Sequence, residues 1–141
     1  MTTRDLANQH CYFFDDDAFE ETDRPGFRRR VISGDHMEAW FWRIAGGATG
    51  SFLHRHDHSE QFGIIVRGAL DFRINDDPAD ERRVVLQAGE IYLAPIGLPH
   101  GDSKFVGDGE YDECWIIDVF SPPRTDGERP GSIDPGVNGD V

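Results

Sequence analysis

Apolar and polar residues alternate along most of this chain in short runs, and turn residues cut the runs apart. Alternation with a period of two marks a half-buried strand. It predicts strands over residues 28–32, 38–44, 61–67, 70–74, 82–86, 90–94 and 114–120. The breaks carry turn chemistry: Ser33-Gly34-Asp35, Gly46-Gly47, Gly68, Asn75-Asp76-Asp77-Pro78, Ala88-Gly89, residues 95–99 and Gly107-Asp108-Gly109. Glycine and proline supply the backbone angles that such turns need. Short strands at this cadence predict an all-β antiparallel sandwich or barrel. No internal repeat is visible, so one domain is expected over residues 28–123.

The two ends differ from this body. Residues 1–27 read as an N-terminal extension, with Cys11-Tyr12-Phe13-Phe14 as an added strand and residues 17–22 as a short helix. Residues 124–141 are rich in Gly, Pro and Asp and almost lack large apolar side chains. Such a segment cannot bury enough surface to order itself, and a disordered, flexible tail is expected.

Composition narrows the function. With 141 residues and 38% apolar content the chain can build one core without covalent staples. Its two cysteines, Cys11 and Cys114, form no disulfide framework and read as reduced thiols. A formal net charge of −13 opposes binding to nucleic acid or to anionic membranes. The acid clusters at 15–17, 76–77 and 108–113 lack calcium-loop spacing and read as solvated loops. No apolar run is long enough to span a bilayer, and Met1-Thr2-Thr3-Arg4-Asp5 has no signal-peptide character. A soluble, cytoplasmic protein with a small-molecule partner is expected.

Four side chains carry the candidate chemistry. His54 and His56 are two apart, so in a strand both project from one face and can bind one ion. Gln61 follows on the next strand, and His100 closes Pro95-Ile96-Gly97-Leu98-Pro99-His100. Imidazole and amide or carboxylate oxygen suit a divalent transition metal. Glu60 and Gln61 are neighbours, so only one can face that ion. Glu60 shares a face with Phe62, Ile64 and Val66, and face parity leaves both candidates open. His58 reads as an exposed or supporting residue.

These segments resemble the two motifs of the cupin superfamily. The first reads His54-x-His56, then Gln61, then Gly68; the second reads Gly89, Pro95-x-Gly97, His100. The chain departs from the pattern at Ala48, where the first motif usually has glycine, and at Lys104, where the second usually has Asn. The resemblance spans residues 28–123 and implies a small jelly-roll barrel with a single cupin domain. It also implies that Gln61, rather than Glu60, is the fourth ligand, in a His-His-Gln-His set. Zinc is the first expectation for the metal, with Fe, Ni, Mn and Co as alternatives. Three neutral imidazoles and an amide keep the ion's full charge, which favours Lewis-acid work over redox work. The resemblance also implies a homodimer, and Tyr12, Phe13 and Phe14 offer an edge strand for pairing.

Asp118 interrupts the apolar run Cys114-Trp115-Ile116-Ile117-Asp118-Val119-Phe120 and shares a face with Ile116 and Phe120. Desolvation there would raise its pKa and suit it to proton transfer. The stretch Asp118-Val119-Phe120-Ser121-Pro122-Pro123-Arg124 resembles the C-terminal signature of cupins that open unsaturated uronates from pectin and alginate. That resemblance implies catalytic roles for Asp118 and Phe120. Trp40, Trp42, Arg43, Phe62 and Trp115 are candidate pocket residues, and Arg28, Arg29, Arg30 and Arg43 are candidate anion holders. An aromatic wall suits a flat, carbonyl-rich substrate, and the chain's size and ligand set also resemble monocupin cyclases of aromatic polyketides. The expectation is a non-redox metal enzyme for enolisation, aldol cyclisation or dehydration. A polyketide substrate stands narrowly ahead of a uronate. A non-haem dioxygenase using Glu60 and a non-catalytic ligand-binding cupin are the remaining alternatives.

Overall fold

Twelve strands among the described residues form two antiparallel sheets. The structure is a computed structural model that describes residues 9–50 and 52–124, together with the backbone of 131–132. The strands are β1 (Glu20–Glu21), β2 (Phe27–Ser33), β3 (Glu38–Ala45), β4 (Thr49–Gly50), β5 (His54–Arg55) and β6 (Glu60–Arg67). They continue as β7 (Ala69–Ile74), β8 (Val84–Gln87), β9 (Ile91–Ala94), β10 (His100–Val106), β11 (Glu113–Ser121) and β12 (Gly131–Ser132). One sheet has the order β1-β2-β3-β11-β6-β9, and the other β12-β5-β10-β7-β8, with β4 also paired to β10. This is a jelly-roll arrangement, as expected.

Each of the seven predicted strands is present, with ends shifted by a residue or two. β10 was not predicted. Its register shifts between Gly101 and Lys104, and that irregularity breaks the alternation by which a strand is recognised. β4 and β5 are two residues each, too short for any periodicity.

Sheet register places the inward side chains in rows. Trp40, Asp118, Gly63 and Tyr92 stand side by side across β3, β11, β6 and β9. The adjacent row is Glu38, Phe120, Gln61 and Ala94, and on the other side stand Trp42, Ile116 and Ile65. The far end of the barrel is filled by Phe27, Ile44, Ile65, Leu70, Phe72, Phe105, Cys114 and Ile116. Removing this apolar surface from water drives the closure of the two sheets. Cys114 is fully buried there, and burial pushes its thiol up to about 12.

Two expectations for the N-terminal extension are corrected. Residues 11–14 form no strand. Phe14 instead packs on Phe19 and Phe41 on the outer face of β3, at centroid separations of 6.1 and 4.8 Å. The Arg30 guanidinium lies over Tyr12 and Phe14. Side-chain stacking, not a ladder, therefore holds the segment, and these aromatics offer no edge for pairing. In place of a helix over 17–22 there is a single 3-10 turn, Asp16–Ala18, followed by β1. At the other end, Arg124 packs into the barrel, and β12 pairs with β5 (Gly131 with Arg55, Ser132 with His54). The rest of the segment read as a tail lies outside the described residues.

Candidate metal centre

His54 and His100 face each other across the β5–β10 pair, which brings the two cupin-like segments together. His56 follows two residues after His54 and reaches the same point. The three rings have centroid separations of 4.4, 5.0 and 5.2 Å, and all three residues are buried. One nitrogen from each lies within 4.8 Å of the others. Donors about 2.1 Å from a common ion stand at most about 4.2 Å apart, so the rings already sit near ligating distance.

The protons are arranged for ligation. His54 Nδ1 lies 2.6 Å from the Phe52 carbonyl oxygen, and His100 Nδ1 lies 3.0 Å from that of Leu98. A ring nitrogen facing a carbonyl carries the proton, which leaves Nε2 as the donor atom. Burial, reinforced by the neighbouring rings, holds His54 well below the usual histidine range and brings His56 down to about 3. Burial also brings His100 down to about 4. The imidazoles are therefore neutral at ordinary pH, as metal ligands must be.

Gln61 is the fourth inward donor. Its Nε2 donates to Tyr92 Oη at 2.9 Å, and this turns Oε1 toward the histidines, 3.0 Å from His100 Nε2. Gln61 is 4% exposed, whereas Glu60 is exposed on the opposite face with Phe62 and Val66. The parity of β6 thus resolves the choice between the neighbours. The carboxylate-bearing ligand set needed for the dioxygenase reading is not formed. The donor set fits one divalent transition metal, and His54, His56, His100 and Gln61 would hold it.

A cavity of about 60 Å³ opens beside this cluster. By volume it takes a handful of water molecules or the reacting end of a small molecule. Asp118 lines it, in the row beside Gln61. Burial pushes the Asp118 carboxyl up to about 6, against the opposing pull of the Gln61 amide, the Arg124 charge, Tyr92 and Trp42. Tyr92 Oη lies 3.5 Å from Asp118 Oδ1, and burial raises the phenol well above its ordinary value. Phe120 packs on the His56 ring at 5.2 Å and on Trp40 at 5.7 Å. The Arg124 guanidinium lies 4.9 Å from the Trp40 ring centre and 5.3 Å from that of Phe120, and its backbone N–H donates to buried Glu38.

Of the candidate pocket residues, Trp40 and Trp42 line the cavity. Arg43, Phe62 and Trp115 do not, because their side chains leave the opposite face of their strands. Phe62 is 44% exposed. Arg43 is locked outside by Glu113, at 2.6 Å, and Asp16, at 2.7 Å, with Trp115 beside it. Arg28 joins the same ion cluster, and Arg30 covers the N-terminal aromatics. Arg29 is stacked over Trp40 and Trp42. The cavity also includes polar residues that the sequence does not single out, Tyr92 and Arg24 among them. Gly63 was the available signal for Tyr92, since glycine inside a strand marks a close approach. A Cβ on Gly63 would collide with the Tyr92 ring.

Comparisons with known proteins agree with this geometry. The structure is similar to that of KdgF from Halomonas sp., with a TM-score of 0.64, 26% identity and coverage of 82% of this chain and 98% of that one. An RmlC-like cupin from Shewanella frigidimarina gives a TM-score of 0.62 at 25% identity, over 83% of this chain and 96% of the other. The oxalate decarboxylase of Lactobacillus farciminis, solved as a formate complex, shares the fold at 20% identity and a TM-score of 0.62. The match covers 77% of this chain and 32% of that one. No curated protein sequence matches. The family model described as "Cupin domain" matches residues 40–110, half of the chain. That stretch carries both histidine segments, and the chain belongs to the cupin family.

Proposed function

We propose that this cupin is a metal-dependent enzyme of non-redox carbonyl chemistry, and that its substrate is a small sugar acid of the unsaturated-uronate class. The observation that carries the reading is a protonatable acid, Asp118, set in the cavity wall beside three convergent neutral imidazoles and the Gln61 amide. A divalent ion held by His54, His56, His100 and Gln61 supplies Lewis acidity toward a substrate oxygen.

The side chains divide the remaining work. Opening an unsaturated uronate removes the proton of its anomeric hydroxyl, breaks the C1–O5 bond and protonates C4 of the resulting enol. As a carboxylate, Asp118 can take the first proton; as an acid, it can deliver the second. A pKa near 6 suits both roles close to neutral pH. Tyr92 and Gln61 fix the carboxylate and the amide relative to one another. The Arg124 guanidinium, stacked on Trp40 and Phe120, provides positive charge for the substrate carboxylate. Trp40 Nε1 is buried and has no acceptor among the described residues, so a substrate oxygen is its natural partner. The resemblance of residues 118–124 to the C-terminal signature of uronate-opening cupins supports the same substrate class.

The aromatic polyketide reading retains one favourable observation, the Trp40–Trp42 wall with ring centres 6.0 Å apart. The deciding experiment incubates the metal-loaded protein with an unsaturated uronate released by a polysaccharide lyase. Loss of the ultraviolet absorbance of the conjugated double bond, with the keto acid appearing in proton NMR, is the expected result. A rate no greater than that of the His54→Ala protein would refute the uronate assignment.

A further inference from the structure

Strand β11 ends at Ser121, and two prolines follow it. Pro122 and Pro123 have no N–H to give to a neighbouring strand, so the ladder cannot continue through them. The next backbone donor is Arg124, and its N–H goes to Glu38 Oε1 at 2.8 Å. We propose that Glu38 is a positioning residue: it fixes where the Arg124 guanidinium stands at the cavity wall, and thereby sets the site's preference for a carboxylate-bearing substrate. The preference rests on the uronate reading above, whereas the placement of Arg124 does not.

Glu38 is 6% exposed and stands in the inward row that also holds Phe120 and Gln61. A buried carboxyl group is costly unless donors reach it. Ser33, its partner on β2, donates Oγ to Oε2 at 3.2 Å, and the Arg124 N–H serves Oε1. Glu38 is not among the residues that line the cavity, so it acts on a ligand only through the residue it holds.

Three bonds to three different segments hold residues 121–124. Ser59 Oγ donates to the Pro122 carbonyl at 2.7 Å, Ser121 Oγ donates to the His36 carbonyl at 2.9 Å, and Glu38 accepts from Arg124. Ser59 is 1% exposed and lies between His56 and Gln61, so the stretch that carries the metal donors also grips this segment. Of the three bonds, only that of Glu38 is made to Arg124 itself. The far end of the side chain is stacked on Trp40 and Phe120. Stacking within about 6 Å of a ring centre is a loose constraint, whereas a short hydrogen bond fixes the root of the side chain. Without the Glu38 oxygen the N–H would lose its partner and the segment would have to move to find another.

The test compares an unsaturated uronate with its methyl ester as substrates of the metal-loaded full chain. Glu38→Ala should raise KM for the free acid about tenfold, leave kcat within about threefold and keep the metal. The preference for acid over ester should fall by the same factor. Glu38→Gln, whose amide oxygen still accepts the Arg124 N–H, should restore both. If Glu38→Ala does not fold, Glu38→Asp takes its place, and a carboxylate one methylene shorter should show the same rise in KM. An unchanged KM, an equal loss on acid and ester, or no rescue by Glu38→Gln would overturn the assignment. The buried Arg124 Nε–H gives a readout that needs no substrate. Its proton NMR resonance should exchange slowly with water in the native chain and in Glu38→Gln, and quickly in Glu38→Ala. Slow exchange in Glu38→Ala would refute the positioning role, while a native chain that opens no uronate would refute only the substrate reading.

Discussion

Gly63 faces Asp118 across the β6–β11 ladder, and the side chain it lacks is the space Tyr92 occupies on its way to the carboxylate. The prediction is that Gly63→Ala displaces the phenol and costs about 1–3 kcal/mol, as overpacking does elsewhere. Urea denaturation of the metal-free protein reads the loss. Unchanged stability together with unchanged fluorescence of the neighbouring tryptophans would contradict the tight Gly63–Tyr92 contact.

Metal content is the most direct check of the donor set. The purified protein should bind about one divalent ion per chain, and His54→Ala or His100→Ala should abolish it. Loading should raise the melting temperature of the native chain and leave that of the variants unmoved. Gln61→Glu should retain the ion but lower turnover, since an added negative charge weakens its Lewis acidity. Full occupancy in both histidine variants, by elemental analysis, would remove the basis of the site.

Asp118 makes two separable predictions. Asp118→Asn should lose roughly 10²–10⁴ in turnover with the metal still bound. In the metal-free protein the same change should be stabilising at pH 7. The reasoning is one of linkage. The folded-state pKa of about 6 lies above the ordinary aspartate value of 3.8, so the folded chain holds a proton that the unfolded chain releases. The neutral form's advantage is complete below about pH 4 and is lost as pH rises through 6. The difference between these values corresponds to about 3 kcal/mol, most of which Asn should recover at pH 7. A melting temperature at pH 7 equal to or below that of the unaltered protein would deny the carboxyl its buried setting.

The histidines titrate with the opposite sign. Their folded pKa values lie below the usual 6.5, to about 3 for His56 and about 4 for His100. The unfolded chain therefore takes up more protons, and metal-free stability should fall as the pH drops from about 6.5 toward 4. His56→Gln should flatten that slope, as measured by denaturation at several pH values. A slope identical to that of the unaltered chain would count against a neutral, buried His56.

An outer sheet face predicts self-association. Phe62, Ile64, Ile91, Leu93, Ile117 and Val119 are neighbours by register on β6, β9 and β11, and Phe62, Ile91 and Leu93 are exposed. We expect a homodimer through this face. Phe62→Glu should shift the mass measured by light scattering to that of the monomer. A monomer at high concentration for the unaltered chain would exclude the assembly.

The sequence disclosed the barrel through its strand periodicity, and the metal site through two spaced segments. It left Glu60 and Gln61 unresolved, because alternation shows that neighbours face opposite ways without showing which face is inside. Register answers that: Gln61 pairs with Phe120 and Ala94, both buried. Residue type alone places Arg43, Phe62 and Trp115 at the pocket, but type does not encode face. Arg43 is as buried as a pocket residue, yet what buries it is an ion cluster on the outside. Tyr92 and Arg24 were missed because their places depend on a glycine opposite and on a segment folding over the barrel end.

The two cations that line the cavity, Arg24 and Arg124, come from just before β2 and just after β11, not from the strands that hold the histidines. In the proposed enzyme, the donor set and the charges that would meet a substrate thus come from different stretches of polypeptide. Exchange of the flanking segments between relatives can redirect such a barrel to a differently charged molecule while its donor set stays intact. In evolutionary terms, the ends of the chain are where a new substrate would be acquired.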